Sequence, residues 1–331
     1  MARSVTAHII TQYPPQVRAI AVHSYTSSSR SIYNRSEKLA MTQNKALVLF
    51  PQEYFERYEV ISRYGYDEYF LSQHEKNLRD TFEGFVFCGE ADSTLRVLAV
   101  GASDGTSDIQ IIDTLNSKYN SVLYVVVEPA ESQVQKFQTL VESKREAGLW
   151  TNVQFDFHSL TVEEYLRKTK IGKEPAGFDI IHLQHCVYHF ADPENTTVEL
   201  YGRLNAGGMM FIILVTGVRE ETVLHTVNII PDSMPSIGSA TLRAMLKRRI
   251  PDVKIQTQYR KISYKVDECF KENSKEGNMM LDFVVQLLDF RKTAPAEVVG
   301  DFMKFFKESC YEVNSQLYFP ADDEITTVIK E

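Results

Sequence analysis

The stretch VLAVGASDGTSD, residues 97–108, carries an apolar run into a turn that holds Gly101 and Gly105. Glycine at such a turn lets backbone approach a ligand where a side chain would obstruct it. A second apolar run, residues 121–128, ends on Glu128 and is followed by Pro129. A carboxylate at that tip can accept hydrogen bonds from both hydroxyls of a ribose. The dinucleotide fingerprint G-x-G-x-x-G requires glycine at 103 and 106, where this chain has Ser103 and Thr106. A nicotinamide pyrophosphate therefore fits poorly, whereas a ligand without phosphate fits. A third run, FDIIHLQ at 178–184, is followed at once by His185, Tyr188 and His189. Parallel sheets present ligands at the C-terminal ends of their strands, so this cluster is a candidate for catalysis and substrate binding. His158 and His182, embedded in strand patterns, are read as structural.

These residues need a scaffold to bring them together, and the alternation of the sequence supplies one. Residues 95–100, 121–128, 153–157, 178–184 and 209–215 are short, apolar and rich in β-branched side chains, as buried parallel strands are. Between them, 107–118, 131–147, 161–169 and 193–204 carry apolar residues at helical spacing, which predicts crossover helices. Asn205-Ala206-Gly207-Gly208 reads as a helix stop and tight turn. Beyond 218 the alternation breaks. Helices are predicted at 239–248, 278–290 and 295–308, a strand near 253–264, and a closing strand at 325–330 that could return to the sheet. Residues 53–86 read as mainly helical.

Composition narrows the function. A formal net charge of -8 and the lack of a sustained Lys/Arg cluster argue against nucleic acid as the partner. No run approaches 18 apolar residues, so no membrane span is read. Cys88, Cys186, Cys269 and Cys310 form no C-x-x-C pair, which indicates neither a zinc site nor a disulfide framework and suits a reducing compartment. The first 36 residues contain Arg3, Arg18, Arg30 and Arg35 with no acid before Glu37. That composition suits either an organelle transit segment or a disordered leader ahead of a start at Met41. Otherwise a cytoplasmic monomer is expected.

Together, VLAVGASDGTSD, VVVEP and FDIIHLQHCVYH resemble the first, second and fourth strand motifs of class I methyltransferases that use S-adenosylmethionine. More particularly, VVVEPAESQV, FDIIHLQHCVYHFAD, DECF with GNMMLDFV, TAPAE and the closing apolar strand resemble landmarks of the histamine N-methyltransferase family, from about Met41 onward. The resemblance implies a Rossmann-like α/β fold: a mostly parallel seven-stranded sheet, helices on both faces, and an accessory substrate-binding region. In this organisation 1–40 is a leader and 41–331 the methyltransferase domain. Its cofactor core is 95–215, with substrate-binding additions at 53–86 and 218–322.

The same resemblance puts Gly101 against the amino acid part of the cofactor, Gly105 in the same turn, Glu128 on the ribose and Gln133 near the adenosine. Thr161 and Val162 fall near the adenine, and Gln184 stands where the family has an apolar residue. On the substrate side the family's glutamine position is His185, its asparagine position is Asp323 in PADDE, and its glutamate is Glu68 or Glu75. The implied chemistry is methyl transfer without a metal to a small amine or imidazole such as histamine, with His185 and Tyr188 at the acceptor and Glu68, His185, His189 and Asp323 around the substrate. The alternatives are another small acceptor (an aromatic amine, an O-nucleophile or a small peptide) or a cofactor-binding protein without turnover.

Overall fold

The computed structural model describes residues 46–47, 50–65, 68–89, 93–169, 177–220, 222 and 237–331, so the leader expected at 1–40 lies outside the described residues. The helical region before the first strand consists of α1 (Pro51–Gly65) and α2 (Glu68–Gly84). Strands β1 (Leu95–Val100), β2 (Val122–Val127), β3 (Val153–His158), β4 (Phe178–Gln184) and β5 (Leu204–Val215) then alternate with α3 (Ile109–Lys118), α4 (Glu131–Glu146), α5 (Val162–Lys168) and α6 (Pro193–Gly202). Next come α7 (Ser239–Arg249), β6 (Lys254–Arg260), β7 (Ser263–Lys265), α8 (Lys275–Val285), α9 (Ala296–Ser309), the hairpin of β8 (Tyr311–Val313) and β9 (Gln316–Pro320), and β10 (Asp323–Ile329).

The chain divides into two compact units. One comprises Glu68–Val215, Ile237–Tyr259 and Glu324–Glu331 and is organised by a seven-stranded sheet of order β3-β2-β1-β4-β5-β10-β6. The first five strands in that order pair in parallel. The late strand does return to the sheet, between β5 and β6. Continuous apolar runs form these strands because both faces are covered. One face packs Val97, Ala99 and Tyr124 under Leu78 and Phe82 of α2, Ile111 and Leu115 of α3, and Phe137 of α4. The other packs Leu98, Val100 and Ile181 under Tyr165 of α5, Leu200 of α6, and Leu242 and Leu246 of α7. Burying a leucine or phenylalanine in this way contributes roughly 1.5–3 kcal/mol each.

Helix α2, expected as part of a substrate-binding addition, belongs to this sheet unit. The turn expected at 205–208 is instead part of β5. Its pairing with β4 shifts register between Phe178 and Ile180, and Gly207 adopts φ 76°, so the glycines make a bulge rather than a loop.

The described residues of the second unit are 46–47, 50–65, 216–220, 222 and 260–323. Its described core is aromatic. Phe290, Phe302, Phe306 and Phe319 form a chain of rings with successive centroids 5.3, 5.7 and 4.9 Å apart. Helix α8 stops earlier than its apolar pattern suggests, because Gln286 turns left-handed at φ 58°. The strand expected at 253–264 breaks into β6 and β7, and β7 pairs with the hairpin strand β9.

Candidate active site at the ends of the parallel strands

From β1 the chain runs outward through β2 and β3, then crosses back to place β4 on the other side of β1. The strand order therefore reverses between β1 and β4, and open α/β sheets bind ligands in the crevice at that point. Val100 pairs with Leu183, so Gly101 and Gln184 leave neighbouring strand tips side by side.

Gly101 has φ +65° and donates its N–H to the Val127 carbonyl at 2.8 Å. A Cβ there would lie 2.5 Å from Cys186 Cβ; at Gly105, with φ +79°, it would lie 2.3 Å from the Phe137 ring. Both positions thus require glycine for conformation and for room against the protein itself. Cys186 sits beneath the turn, its thiol directed at the Val100 carbonyl at 3.2 Å and pushed far up by burial, which leaves it an unreactive packing group.

Glu128, 6% exposed, follows β2 and accepts hydrogen bonds from the Ser103 N–H at 3.0 Å and the Ala130 N–H at 2.9 Å. Burial pushes its carboxyl up, while the two N–H donors pull the other way. A carboxylate has about four acceptor positions, so two remain for a diol. Gln133, 4% exposed in the first turn of α4, receives the Ser103 hydroxyl at 3.5 Å. Ser103, at φ 51°, is thus the joint that ties Glu128 and Gln133 to the glycine turn. The sequence offered it only as a missing glycine. Thr161 caps α5: its hydroxyl oxygen accepts the Glu164 N–H at 3.2 Å, and Glu164 in turn accepts the Thr161 N–H at 3.0 Å.

Gln184 donates its side-chain amide to Asp108 Oδ1 at 3.1 Å. Asp108, 1% exposed, also accepts the Tyr124 hydroxyl at 3.1 Å, and that hydroxyl lies 2.7 Å from His182 Nε2. Burial pushes the Asp108 carboxyl up to about 8 and the His182 imidazole down to about 3, so the histidine is neutral at pH 7. Asp108 and Tyr124 escape sequence reading because an acid ahead of a helix looks like a cap. Yet Asp108 makes no side-chain capping bond.

Beyond β4, His185 adopts φ 51° and donates its backbone N–H to the Ile213 carbonyl at 2.9 Å. Val187–His189 form a single 3-10 turn, with the Tyr188 and His189 rings 4.6 Å apart, edge to face. His189 is held neutral, pushed down to about 4 chiefly by burial and secondarily by His185. The half-buried Tyr188 and His189 thus share one turn, and the half-buried His185 leads into it from β4.

Asp323 belongs to the second unit and meets a different arrangement from the open carboxylate expected for a cationic substrate. It is 0% exposed, and its two oxygens face Arg260 Nε and Nη2, each at 2.6 Å. Glu68 is the first residue of α2, and Glu75 is exposed on the same helix. Among the described residues no helix is long and apolar enough to cross a membrane.

No protein-family model matches the sequence. Among curated proteins, histamine N-methyltransferase of Mus musculus is 27% identical over 252 residues, covering 73% of this chain and 83% of that protein. The Rattus norvegicus protein of the same name is 25% identical over 248 residues, with the same two coverages. Carnosine N-methyltransferase 2 of Gallus gallus is 28% identical over 214 residues, covering 63% of this chain and 65% of that protein. The sheet order is that of a Rossmann-like α/β fold, and over 73% of its length the chain is similar to curated histamine N-methyltransferases at 25–27% identity.

Proposed function

We propose that the chain is an S-adenosylmethionine-dependent N-methyltransferase acting on a small amine or imidazole compound. The observation that carries this reading is the buried Glu128 carboxylate, fixed to the glycine turn through Ser103 and retaining free acceptor positions at the switch point of the sheet. The turn itself suits a cation rather than a phosphate: residues 101–108 contain Asp104 and Asp108 and neither lysine nor arginine. The relatives named for histamine and carnosine methylation support the acceptor class.

S-adenosylmethionine bound in this crevice would supply an electrophilic methyl group: an N–C bond to it would form as the C–S bond breaks, its electron pair passing to sulfur to give a neutral thioether, and the proton of the methylated nitrogen would pass to solvent. Glu128 holds the ribose diol. The backbone of the Gly101 turn faces the amino acid part, and Gln133 closes the adenosine side. An imidazole with an ordinary pKa near 6.5 is largely neutral at pH 7, so its lone pair is available without a strong base. The task of His185 and Tyr188 is then to orient the acceptor by hydrogen bonding and to exclude water, as direct displacement demands. With Asp323 matched by Arg260, the carboxylate we assign to the cationic tail of the substrate is Glu68.

Incubation with methyl-labelled donor and a panel of histamine, histidine and carnosine, with the product identified by mass, tests this reading. Label transfer to a ring nitrogen of one of them is expected. Donor binding without transfer to any nitrogen compound would reduce the reading to cofactor binding alone.

A further inference from the structure

The same face of the sheet carries a polar chain that the reading above leaves unused. Tyr124 pairs with Val97 on β1, and His182 pairs with Ala99, so both side chains rise on one face and meet across the small Ala99. Asp108 closes the chain from the start of α3 and passes it to Gln184 at the tip of β4. The surroundings are apolar: Ile111 and Ile112 of α3, Phe137 of α4, and Leu78 and Phe82 of α2. Among the described residues no lysine or arginine lies within ion-pair distance of Asp108; its one basic neighbour is His182, at 3.7 Å. A carboxylate buried without a cation is unfavourable, and a cation brought in by a ligand relieves that.

We propose that Asp108 is a positioning and specificity residue for the methyl donor: it holds the Gln184 amide so that the Gln184 carbonyl oxygen is left for the ligand, and its buried negative charge favours the cationic sulfonium over the neutral thioether that the reaction leaves. This assignment rests on the proposed cofactor. In the ligand-free protein Asp108 keeps its proton at pH 7, because burial and the nearby Asp104 push it up to about 8. A sulfonium beside Gln184 stabilises the ionised form, and the proton passes to solvent.

The other groups facing the site do not blur the reading. His182 is held near 3, and Tyr124 and Cys186 lie well above neutrality. Glu128 faces the ribose, which donor and product share, so its titration contributes equally to both.

Calorimetry of the whole protein with S-adenosylmethionine and with S-adenosylhomocysteine, in buffers of different ionisation enthalpy, decides the matter. At pH 7 the donor should release up to about one proton more than the thioether. Donor affinity should rise relative to thioether affinity by up to about tenfold per pH unit as pH approaches about 8, and the ratio should level off above that. Asp108→Asn, with its fold checked by amide spectra, should abolish both the extra release and the slope. Equal proton release for the two ligands, or extra release retained in Asp108→Asn, overturns the assignment and leaves the cofactor reading intact. Failure of both ligands to bind overturns the two together.

Discussion

Two pairs of buried carboxylates are held differently. In the unit of α1, α8 and α9, Asp282 lies 2.9 Å from Arg57 Nε and accepts the N–H groups of Asp289 and Phe290, and Asp323 takes Arg260 with both oxygens. At the ends of β1, β2 and β4, and among the described residues, Glu128 receives backbone N–H groups and Asp108 a phenol and an amide. A carboxylate matched by arginine is already compensated in the free protein. A carboxylate without a cation can be compensated by a positive ligand, and on the reading proposed above Glu128 and Asp108 are so placed, whereas the buried Asp179 and Asp322 accept N–H groups within the fold.

The largest effect should come from breaking a compensated pair. Arg260→Ala removes both Arg260 contacts from the buried Asp323 and should cost about 3–5 kcal/mol of stability by chemical denaturation. A loss below 1 kcal/mol would mean that Asp323 is not carried by this contact.

Glu128→Ala should do the reverse: little loss of stability, but about 1.5–3 kcal/mol of S-adenosylmethionine affinity, or roughly 10- to 150-fold, read by calorimetry. Unchanged affinity would move the ribose elsewhere.

Asp108→Asn sharpens the comparison through pH. A carboxyl whose folded value lies above its unfolded one binds more protons in the folded state, so the wild-type protein loses stability as pH rises from about 4 to about 8. The variant lacks that loss, and its advantage should widen across the same window to about 1–2 kcal/mol once local relaxation is allowed for. Parallel stability curves for the two proteins would show that Asp108 ionises freely.

The smallest effect is expected for His185→Gln. Donor affinity should change by less than about threefold, roughly 0.6 kcal/mol, while kcat/KM shifts unequally between two acceptors. If the acceptor ranking is kept, His185 only supports the turn.

The sheet was legible because a parallel strand covered on both faces must be apolar throughout; β1 and β4 have the bounds their composition suggests. The β8–β9 hairpin was not, since Asn314-Ser315, both at positive φ, is a weak turn signal between half-polar strands. Gly101 and Glu128 could be read because a glycine turn and an acid at a strand tip are local patterns. Asp323 could not be assigned its partner, because Arg260 lies 63 residues away and nothing local links them. The Asp108 chain was hidden for a related reason: Tyr124 and His182 look like strand filler until the register sets them on one face at either side of β1.

The position of β10 also bears on how the protein comes to be folded as it is made. Strands β5 and β6 are complete by Arg260, but β10, which lies between them, begins only at Asp323. During synthesis the edge of β5 must therefore wait more than 60 residues for its neighbour, with its backbone groups open to the wrong strand. Chains that stall before residue 323 should be the ones that a ribosome-associated chaperone engages longest, and premature release there should give aggregates rather than a shorter working enzyme.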